Sequence, residues 1–447
     1  MRRAVGILMA AVVALVSACT DDESRRSRGN SSAPDPVSGG HAVVGVHGEP
    51  PTFDPYAPNA TDLTRALVRP LYPSLFRVTP NGDIAADLAD QLQGSGNRVR
   101  VRLAPARWSN GRPITARDVV ASVLDATPPS GFAQVTSARV LSRQSVELRG
   151  PVRDWKATLA RAAFVLPGGR ASAPGGIFGG PYVLRKLVPG LKAVYVTNPR
   201  WNGEAPYLQR FTVTYVTSLL MMIRLLEDGR LDAAALPSSV NLDERLEEIG
   251  LRFAAALGYE SVVLDFSSSG LARAERVAIA ARVPLKLMQE GLIRDDGRIS
   301  RTLFPTPESA GGGFGGDLGA GTRPGDAPLL LAPAGDELLQ LIQRVIDARL
   351  DGRGVDVDLV RIVPSELYGG AAPVAGIQVV RAGGGPGAKD PRGALRTLDR
   401  YPLFQVETVT AWRPGLRGVV VNPTTEGPLH NVHRWWWAEG RRPGPGL

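Results

Sequence analysis

The sequence predicts an α/β protein built as two or three lobes, and three observations lead there. A chain of 447 residues is longer than one hydrophobic core sustains. Within residues 98–120, Val99, Val101 and Leu103 alternate with Arg100 and Arg102, a strand with one buried face; Asn110-Gly111 then turns the chain. Thr115, three residues before Asp118, caps a helix whose Val119, Val120, Val123 and Leu124 face a core. Further on, Leu338, Leu339, Ile342, Val345, Ile346 and Leu350 recur at helical spacing, and residues 354–360 read as the strand that follows.

Composition narrows the function classes. Hydrophobic residues make up 43% of the chain, which excludes wholesale disorder. Lys and Arg outnumber Asp and Glu 52 to 43, a net charge of +9. The arginines are scattered and interleaved with acids rather than gathered in blocks. The charge therefore points to solubility and attraction to anionic surfaces, not to nucleic acid.

Cys19 is the single cysteine, so no intramolecular disulfide forms. Arg2 and Arg3 precede an apolar run over 5–16, and Ser17 and Ala18 stand directly before Cys19. These are the charged, apolar and small-residue zones of a secretory signal, residues 1–18. The V-S-A-C run resembles the lipobox of bacterial lipoproteins, with Val16 where leucine is commoner. That likeness implies cleavage before Cys19 and lipidation of its sulfur, with several acyl chains making a durable anchor. Residues 20–40 are polar, rich in Pro, Gly and Ser and without periodicity, so 19–40 reads as the lipidated cysteine plus a flexible tether. No later apolar run reaches the length of a bilayer span.

Taken in order, a short strand starts at His41 and an extended E-P-P-T-F-D-P segment follows from Glu49. Residues 61–76 read as a helix interrupted at Pro70, 138–141 and 146–148 as a hairpin, and 151–162 as a helix around Trp155 and Leu159. Residues 168–180 form a loop, 211–215 a strand, and 218–226 an amphipathic helix ended by Gly229. Residues 251–256 and 261–266 read as two strands, and 272–291 as one helix with Val277, Ala281, Leu285 and Met288 on one face. The Gly-rich 309–328 is a loop or the scar of lost secondary structure. Residues 376–380, 402–410 and 416–421 are further strands, and 438–447 is a disordered tail.

Catalytic parts are missing. There is no G-x-S-x-G elbow, Walker loop or dinucleotide fingerprint, and four histidines with no free mature thiol leave nucleophilic catalysis unequipped. The chain reads as no enzyme and without a cofactor, although carboxylates alone leave a surface hydrolase as an outside alternative. His430 and His433 have metal-like spacing but no third ligand, so no metal is assigned. Trp435, Trp436 and Trp437 either touch a membrane or partner or pack inward. Three consecutive side chains cannot all face one way, so at least one packs.

Several motifs stand in a telling order: L-Y-P-S-L-F-R-V-T-P-N-G at 71–82, W-S-N-G-R-P and T-A-R-D-V at 108–119, G-G-P-Y at 179–182, N-P-R-W-N-G at 198–203 and L-D-A-A at 231–234. Together they resemble the bacterial extracellular solute-binding proteins of the dipeptide/oligopeptide-binding family (family 5), in lipoprotein form with a shortened and divergent second lobe. The likeness implies an α/β, two-lobed periplasmic-binding-protein-like fold (class II, type C). Lobe I would comprise 41–61, 176–258 and 402–437, with a small domain of 62–175 inserted in it, and lobe II 259–401. It implies a monomeric substrate-binding lipoprotein of an ABC-type import system, lipid-anchored on the extracytoplasmic face of the cell membrane. A peptide or similar small solute would be captured between the lobes and presented to a membrane permease. The alternative is a lipoprotein of this fold that has lost transport and acts as a cell-envelope scaffold or regulator.

In peptide-binding relatives an aromatic residue and an amine-pairing aspartate precede a D/E-P proline. Counting back from Pro391 puts Gly384 and Gly387 in those places, so neither group is present. Asp390 substitutes only if the loop shifts. Arg381 matches an arginine of oligopeptide-binding members and suits a carboxylate; its other reading is a surface ion pair. Tyr259, Trp412 and Arg413 are the remaining candidate ligand contacts, the last two because they lie between the final strands, where lobe II is expected to come close.

Overall fold

The computed structural model describes residues 35–127, 130–237, 239, 241–292, 298–299, 327–333, 337–351, 355–362, 375–383, 396–424 and 426–439. The chain divides into two compact units, Met1–Asp35 and Pro36–Leu447, and every element below belongs to the second. The expected signal segment, Cys19 and the tether through residue 34 lie outside the described residues.

Five consecutive buried residues make β1 (His41–His47) an interior strand. Thr61 caps α1 (Asp62–Val68), its hydroxyl accepting from the Thr64 N–H at 3.2 Å. The pair β2 (Phe76–Val78) and β3 (Ile84–Ala86) leads into an antiparallel sheet of β4 (Ala89–Ser95), β5 (Arg98–Leu103), β6 (Ser137–Ser142) and β7 (Ser145–Arg149), ordered β4-β5-β7-β6. In β5 the alternation is realised, with Val99, Val101 and Leu103 buried and the three arginines exposed. Gly111 takes φ +85° in the following turn, donating its N–H to the Trp108 carbonyl at 2.8 Å. The helix α2 (Ala116–Asp125) starts where the Thr115 N–H and hydroxyl both donate to Asp118 Oδ2, at 2.9 and 3.1 Å. It buries Val119 and Val123, but Leu124 is 80% exposed, one helical step beyond the face that meets the core.

After the short α3 (Trp155–Leu159), which begins at its Asp154 cap rather than at Pro151, the chain rejoins the main sheet. There it forms β8 (Tyr182–Val188), β9 (Lys192–Thr197) and β10 (Arg210–Val216). The G-G-P-Y motif is a close-packing device. A Cβ on Gly179 would lie 2.8 Å from the buried Trp108 ring, and one on Gly180 would lie 2.4 Å from the Pro70 carbonyl. Next come α4 (Leu219–Glu227), capped by Ser218, then β11 (Ala233–Leu236) and α5 (Leu242–Glu248).

Where two strands are expected, β12 (Arg252–Asp265) is one. Where one helix is expected there are two, α6 (Arg273–Ala280) and α7 (Leu285–Leu292). Pro284 lacks the N–H that would continue the ladder, and Ala281 is left exposed. Then follow β13 (Arg298–Ile299), β14 (Leu329–Pro333), α8 (Glu337–Asp351), β15 (Asp358–Ile362), β16 (Ile377–Gly383) and the long β17 (Arg400–Trp412). The expected 416–421 strand shrinks to β18 (Leu416–Arg417), paired with β19 (Trp436–Trp437).

One eleven-stranded sheet runs β15-β14-β16-β12-β17-β11-β1-β10-β9-β8, with β13 on β17. A first core, including Leu67, Trp108, Phe178, Tyr195, Phe211 and Trp435, joins α1 and β2–β7 to one face of β8–β10 and β1. A second, with Met222, Leu226, Leu246, Val409 and Ala411, covers the opposite face under α4 and α5. A third, with Val262, Leu264, Leu330, Ile342, Ile346, Val379 and Phe404, gathers the far end of the sheet under α8. All three tryptophans of the 435–437 run are buried. Trp435 Nε1 donates to Asn431 Oδ1 at 2.9 Å and Trp437 Nε1 to the His41 carbonyl at 3.0 Å, so the run is packing.

Candidate functional site at the crossing strands

Among the described residues, the sheet passes from the first two cores to the third through β12 and β17 alone. These strands pair antiparallel from Arg252 opposite Trp412 to Asp265 opposite Arg400. The ladder is irregular at two neighbouring places, between Leu257 and Ser261 and between Val262 and Val263, and the first is the larger. Leu257 faces Glu407 and Ser261 faces Gln405, so Gly258, Tyr259 and Glu260 stand against the single residue Val406. Extra residues in one strand bend it and open its hydrogen bonding. The bend falls where one core gives way to the next.

Strand direction brings more to this bulge. Strand β11 advances from Ala233 opposite Trp412 to Leu236 opposite Val409, and β1 and β10 run parallel to it. From the other side β16 advances from Gln378 opposite Asp265 to Gly383 opposite Glu260, with β14 and β15 parallel to it. The carboxyl ends of six strands therefore point at the bulge from its two sides. In open α/β sheets such ends are where ligands bind.

Several groups occupy the ends on the β1 side. His47 Nε2 lies 3.1 Å from the Thr217 carbonyl, and both Glu49 carboxylate oxygens accept from the Gly190 N–H at 2.9 Å. The buried Tyr215 hydroxyl has no hydrogen-bond partner among the described residues, and burial followed by the nearby Glu49 charge pushes its pKa up. On β17, Gln405 and Glu407 are buried on either side of the break. These residues were not singled out from sequence. Glu49 stood in a noted motif and Glu407 in a noted strand, but only the topology shows which strand ends meet.

Of the sequence-nominated contacts, Tyr259 falls within the bulge, and Arg381 on β16 takes the register position opposite Val262. Asp390 lies outside the described residues. Trp412 and Arg413 stand elsewhere, at the far end of β17, roughly 20 Å from the break at about 3.3 Å per residue. Trp412 packs against the first core. Arg413 closes the end of α4: Nη2 donates to the Leu226 carbonyl at 2.9 Å and Nε to the Leu231 carbonyl at 3.3 Å. A cation suits a helix carboxyl terminus. Gly229, at φ +74°, leaves it room, since a Cβ there would sit 2.6 Å from Nη2. The physical reason for the displacement is that β17 continues to Trp412 instead of ending at Thr410.

Burial pushes the His430 imidazole down to about 3 and the His433 imidazole down to about 4. Among the described residues no group of three His, Cys, Asp or Glu side chains is placed to hold a metal ion.

This geometry has counterparts. In fold, the chain is similar to the oligopeptide-binding protein AppA of Bacillus subtilis in complex with a nonapeptide, at TM-score 0.74 and 16% identity, covering 90% of this chain and 100% of that one. It is also similar to the Escherichia coli murein tripeptide binding protein MppA, at TM-score 0.75, 16% identity, and 90% and 99% coverage. A third is NikA of Staphylococcus aureus in complex with Ni(L-His)2, at TM-score 0.71, 14% identity, and 87% and 97% coverage. In sequence it is 23% identical over 305 residues to the oligopeptide-binding protein OppA of Mycobacterium tuberculosis, covering 60% of this chain. The chain spans about half the length of that relative, 51%. The model of the bacterial extracellular solute-binding proteins, family 5 Middle, matches residues 83–400, well over half of the chain. The chain therefore belongs to the bacterial extracellular solute-binding proteins of family 5.

Proposed function

We propose that this chain is the substrate-binding component of an ABC-type import system, closing two lobes on a peptide or similar small solute and presenting it to a membrane permease. The observation that carries the reading is the convergence of six strand ends on the one bulged crossing between cores. A ligand that touches both sides binds the closed form better and shifts the population toward it, with no covalent chemistry required. The lobes are drawn as 41–61, 176–258 and 402–437 for lobe I, 62–175 for the inserted domain and 259–401 for lobe II. Cys19 carries the lipid that holds a monomer on the extracytoplasmic face of the cell membrane.

Tyr259 and Arg381 are assigned to the ligand, with Asp390 joining them if its loop reaches. Trp412 and Arg413 are assigned to holding lobe I together. The relatives' ligands span a nonapeptide, a murein tripeptide and a nickel–histidine complex. For this chain, glycine at 387 removes the carboxylate that would pair with a free amino terminus, and a buried unpaired ammonium is costly. A solute held by its carboxylate through Arg381 fits better than one held by its amine.

A thermal-shift screen against peptides, N-acetylated peptides, amino acids, sugars and metal–amino-acid complexes tests this. At a hundred times its dissociation constant a ligand adds about 2.7 kcal/mol, which raises the midpoint of a chain this long by about 3 °C. The expected result is a rise with a carboxylate-bearing solute that Arg381→Ala abolishes. A midpoint unmoved by the whole library would overturn the reading.

A further inference from the structure

The sheet β4-β5-β7-β6 turns one face to the first core, through Val99, Val101, Leu103, Val146 and Leu148. Its other face is set by register. Arg98 stands opposite Arg149 on one side and Ser95 on the other; Arg100 stands between Glu147 and Gln93; Arg102 stands between Ser145 and Gln91; Arg139 lies beyond Glu147. Five guanidiniums thus share a face with one carboxylate. That carboxylate, Glu147, is 2% exposed beneath Arg149 at 2.9 Å and Arg139 at 3.7 Å. Asp90 on the edge strand pairs with Arg102. Arg98 and Arg100 are exposed; they feel Glu147 across the ladder, Arg98 through its charge and Arg100 as its register neighbour, but that one carboxylate is already held by Arg149 and Arg139.

Like charges directly opposite each other, as Arg98 and Arg149 are, weaken a sheet. A face needed for solubility alone is served by mixed signs. The register rows of this face carry no aromatic residue, so it lacks the stacking platform of a single-stranded nucleic-acid site. What it offers is a predominantly cationic, hydrogen-bonding surface whose standing repulsion an anionic plane relieves.

We infer that this arginine face docks on the anionic headgroups of the membrane that the chain is tethered to. The inference rests on the lipid-anchor reading of Cys19 for proximity. Gly39 is fixed by its N–H to the Tyr207 carbonyl at 2.6 Å, and the roughly 20 residues between it and Cys19 extend at most about 70 Å. Given that anchor, the folded unit stays within about 70 Å of the bilayer. Attraction is felt only within a Debye length of about 8 Å, so five arginines on one sheet face gain from close contact what scattered arginines do not. Each basic residue brought to an anionic surface strengthens attachment about fivefold.

The test uses the chain from residue 19 onward carrying Cys19→Ala, so that neither an acyl chain nor the apolar signal segment contributes, and sedimentation with phosphatidylcholine vesicles with or without phosphatidylglycerol. Binding is expected only with phosphatidylglycerol. Arg98→Gln, Arg100→Gln and Arg102→Gln combined should weaken it about a hundredfold while leaving the melting midpoint and circular dichroism unchanged. A charge-matched control, Arg200→Gln, Arg210→Gln and Arg230→Gln, should keep most of the binding. Indifference of the parent chain to phosphatidylglycerol overturns the inference, as does equal loss in the control, or binding to soluble polyphosphate with none to vesicles. Mass spectrometry of Cys19 from the membrane fraction separates the two readings. Lipidation without vesicle binding defeats the arginine face alone, whereas vesicle binding without lipidation defeats the anchor and leaves the face standing.

Discussion

The first core and the third are held by different means. Around the first, polar groups reach far across the chain: Tyr195 donates to the Leu67 carbonyl, Tyr182 to that of Leu208, and Trp437 to that of His41, each at 3.0 Å. Arg69 is 8% exposed, pairs with the buried Glu426, donates to Ser74 Oγ at 2.9 Å and lies 5.5 Å from the Phe164 ring centre. Glu426 also accepts from the Val78 N–H at 3.3 Å, so the final segment of the chain is locked to β2. The third core is aliphatic, apart from Phe266 and Phe404. Its ion pairs are part-solvated: Arg400 with Asp265 at 2.7 Å leaves the arginine 38% exposed, and Arg276 pairs with an exposed Asp399. The contrast teaches that α1, β2, β10 and the carboxyl-terminal segment act as one stiff platform. The far end of the sheet is packed mainly by aliphatic shape, with the buried Gln343 donating from α8 to the Val360 carbonyl at 3.0 Å and to that of Leu330.

The largest effect that would break this contrast is at the buried pair. Arg69→Met leaves Glu426 buried without its cation and should cost about 3–5 kcal/mol, read as a loss of urea midpoint. A cost no greater than that of a surface pair would deny the platform its ionic staple. Ile342→Ala in α8 should cost about 3 kcal/mol through lost burial and a cavity. In calorimetry it should lower a transition distinct from the one Arg69→Met lowers; one shared transition would mean the cores unfold together.

Next comes pH. His430 and His433 are held neutral in the fold, with pKa values depressed to about 3 and about 4 by burial. The unfolded chain binds protons at both as pH falls below about 6.5, and the folded chain does not. Stability should therefore be flat above that pH and fall by about 1.4 kcal/mol per unit for each histidine below it. Melting midpoints from pH 7.5 to 5 check the slope, and His430→Gln with His433→Gln should flatten it. The smallest effect is expected at Arg400→Met, about 1–2 kcal/mol, because the arginine is partly solvated and the buried Asp265 keeps the Ser267 N–H at 2.9 Å.

How much of this was legible beforehand differs by element. Arg98 to Asp125 declared itself, because alternation, an Asn-Gly turn and a Thr-x-x-Asp box are local signals and the structure obeys each. The helix of 272–291 broke at a proline that the apolar periodicity had masked. The site was half legible. Arg381 is nominated by comparison with a family pattern, and Tyr259 only as a further candidate contact. The bulge beside them was invisible because Gly258-Tyr259-Glu260 interrupts the alternation, and only the β17 ladder shows the strand continuing through it. His47, Glu49 and Tyr215 sit at strand ends whose neighbours are far away in sequence. No local pattern announces such a meeting.

The central claim is that a solute sits at the crossing. Hydrogen–deuterium exchange of the chain, with and without a pool of carboxyl-free and carboxyl-bearing short peptides, tests it most directly. The account expects carboxyl-bearing peptides to slow exchange over 257–261, at the ends of β10 and β11 and at the end of β16, and to leave 412–413 unchanged. Protection confined to 412–413 or to β4–β7, with none at 257–261, would contradict it.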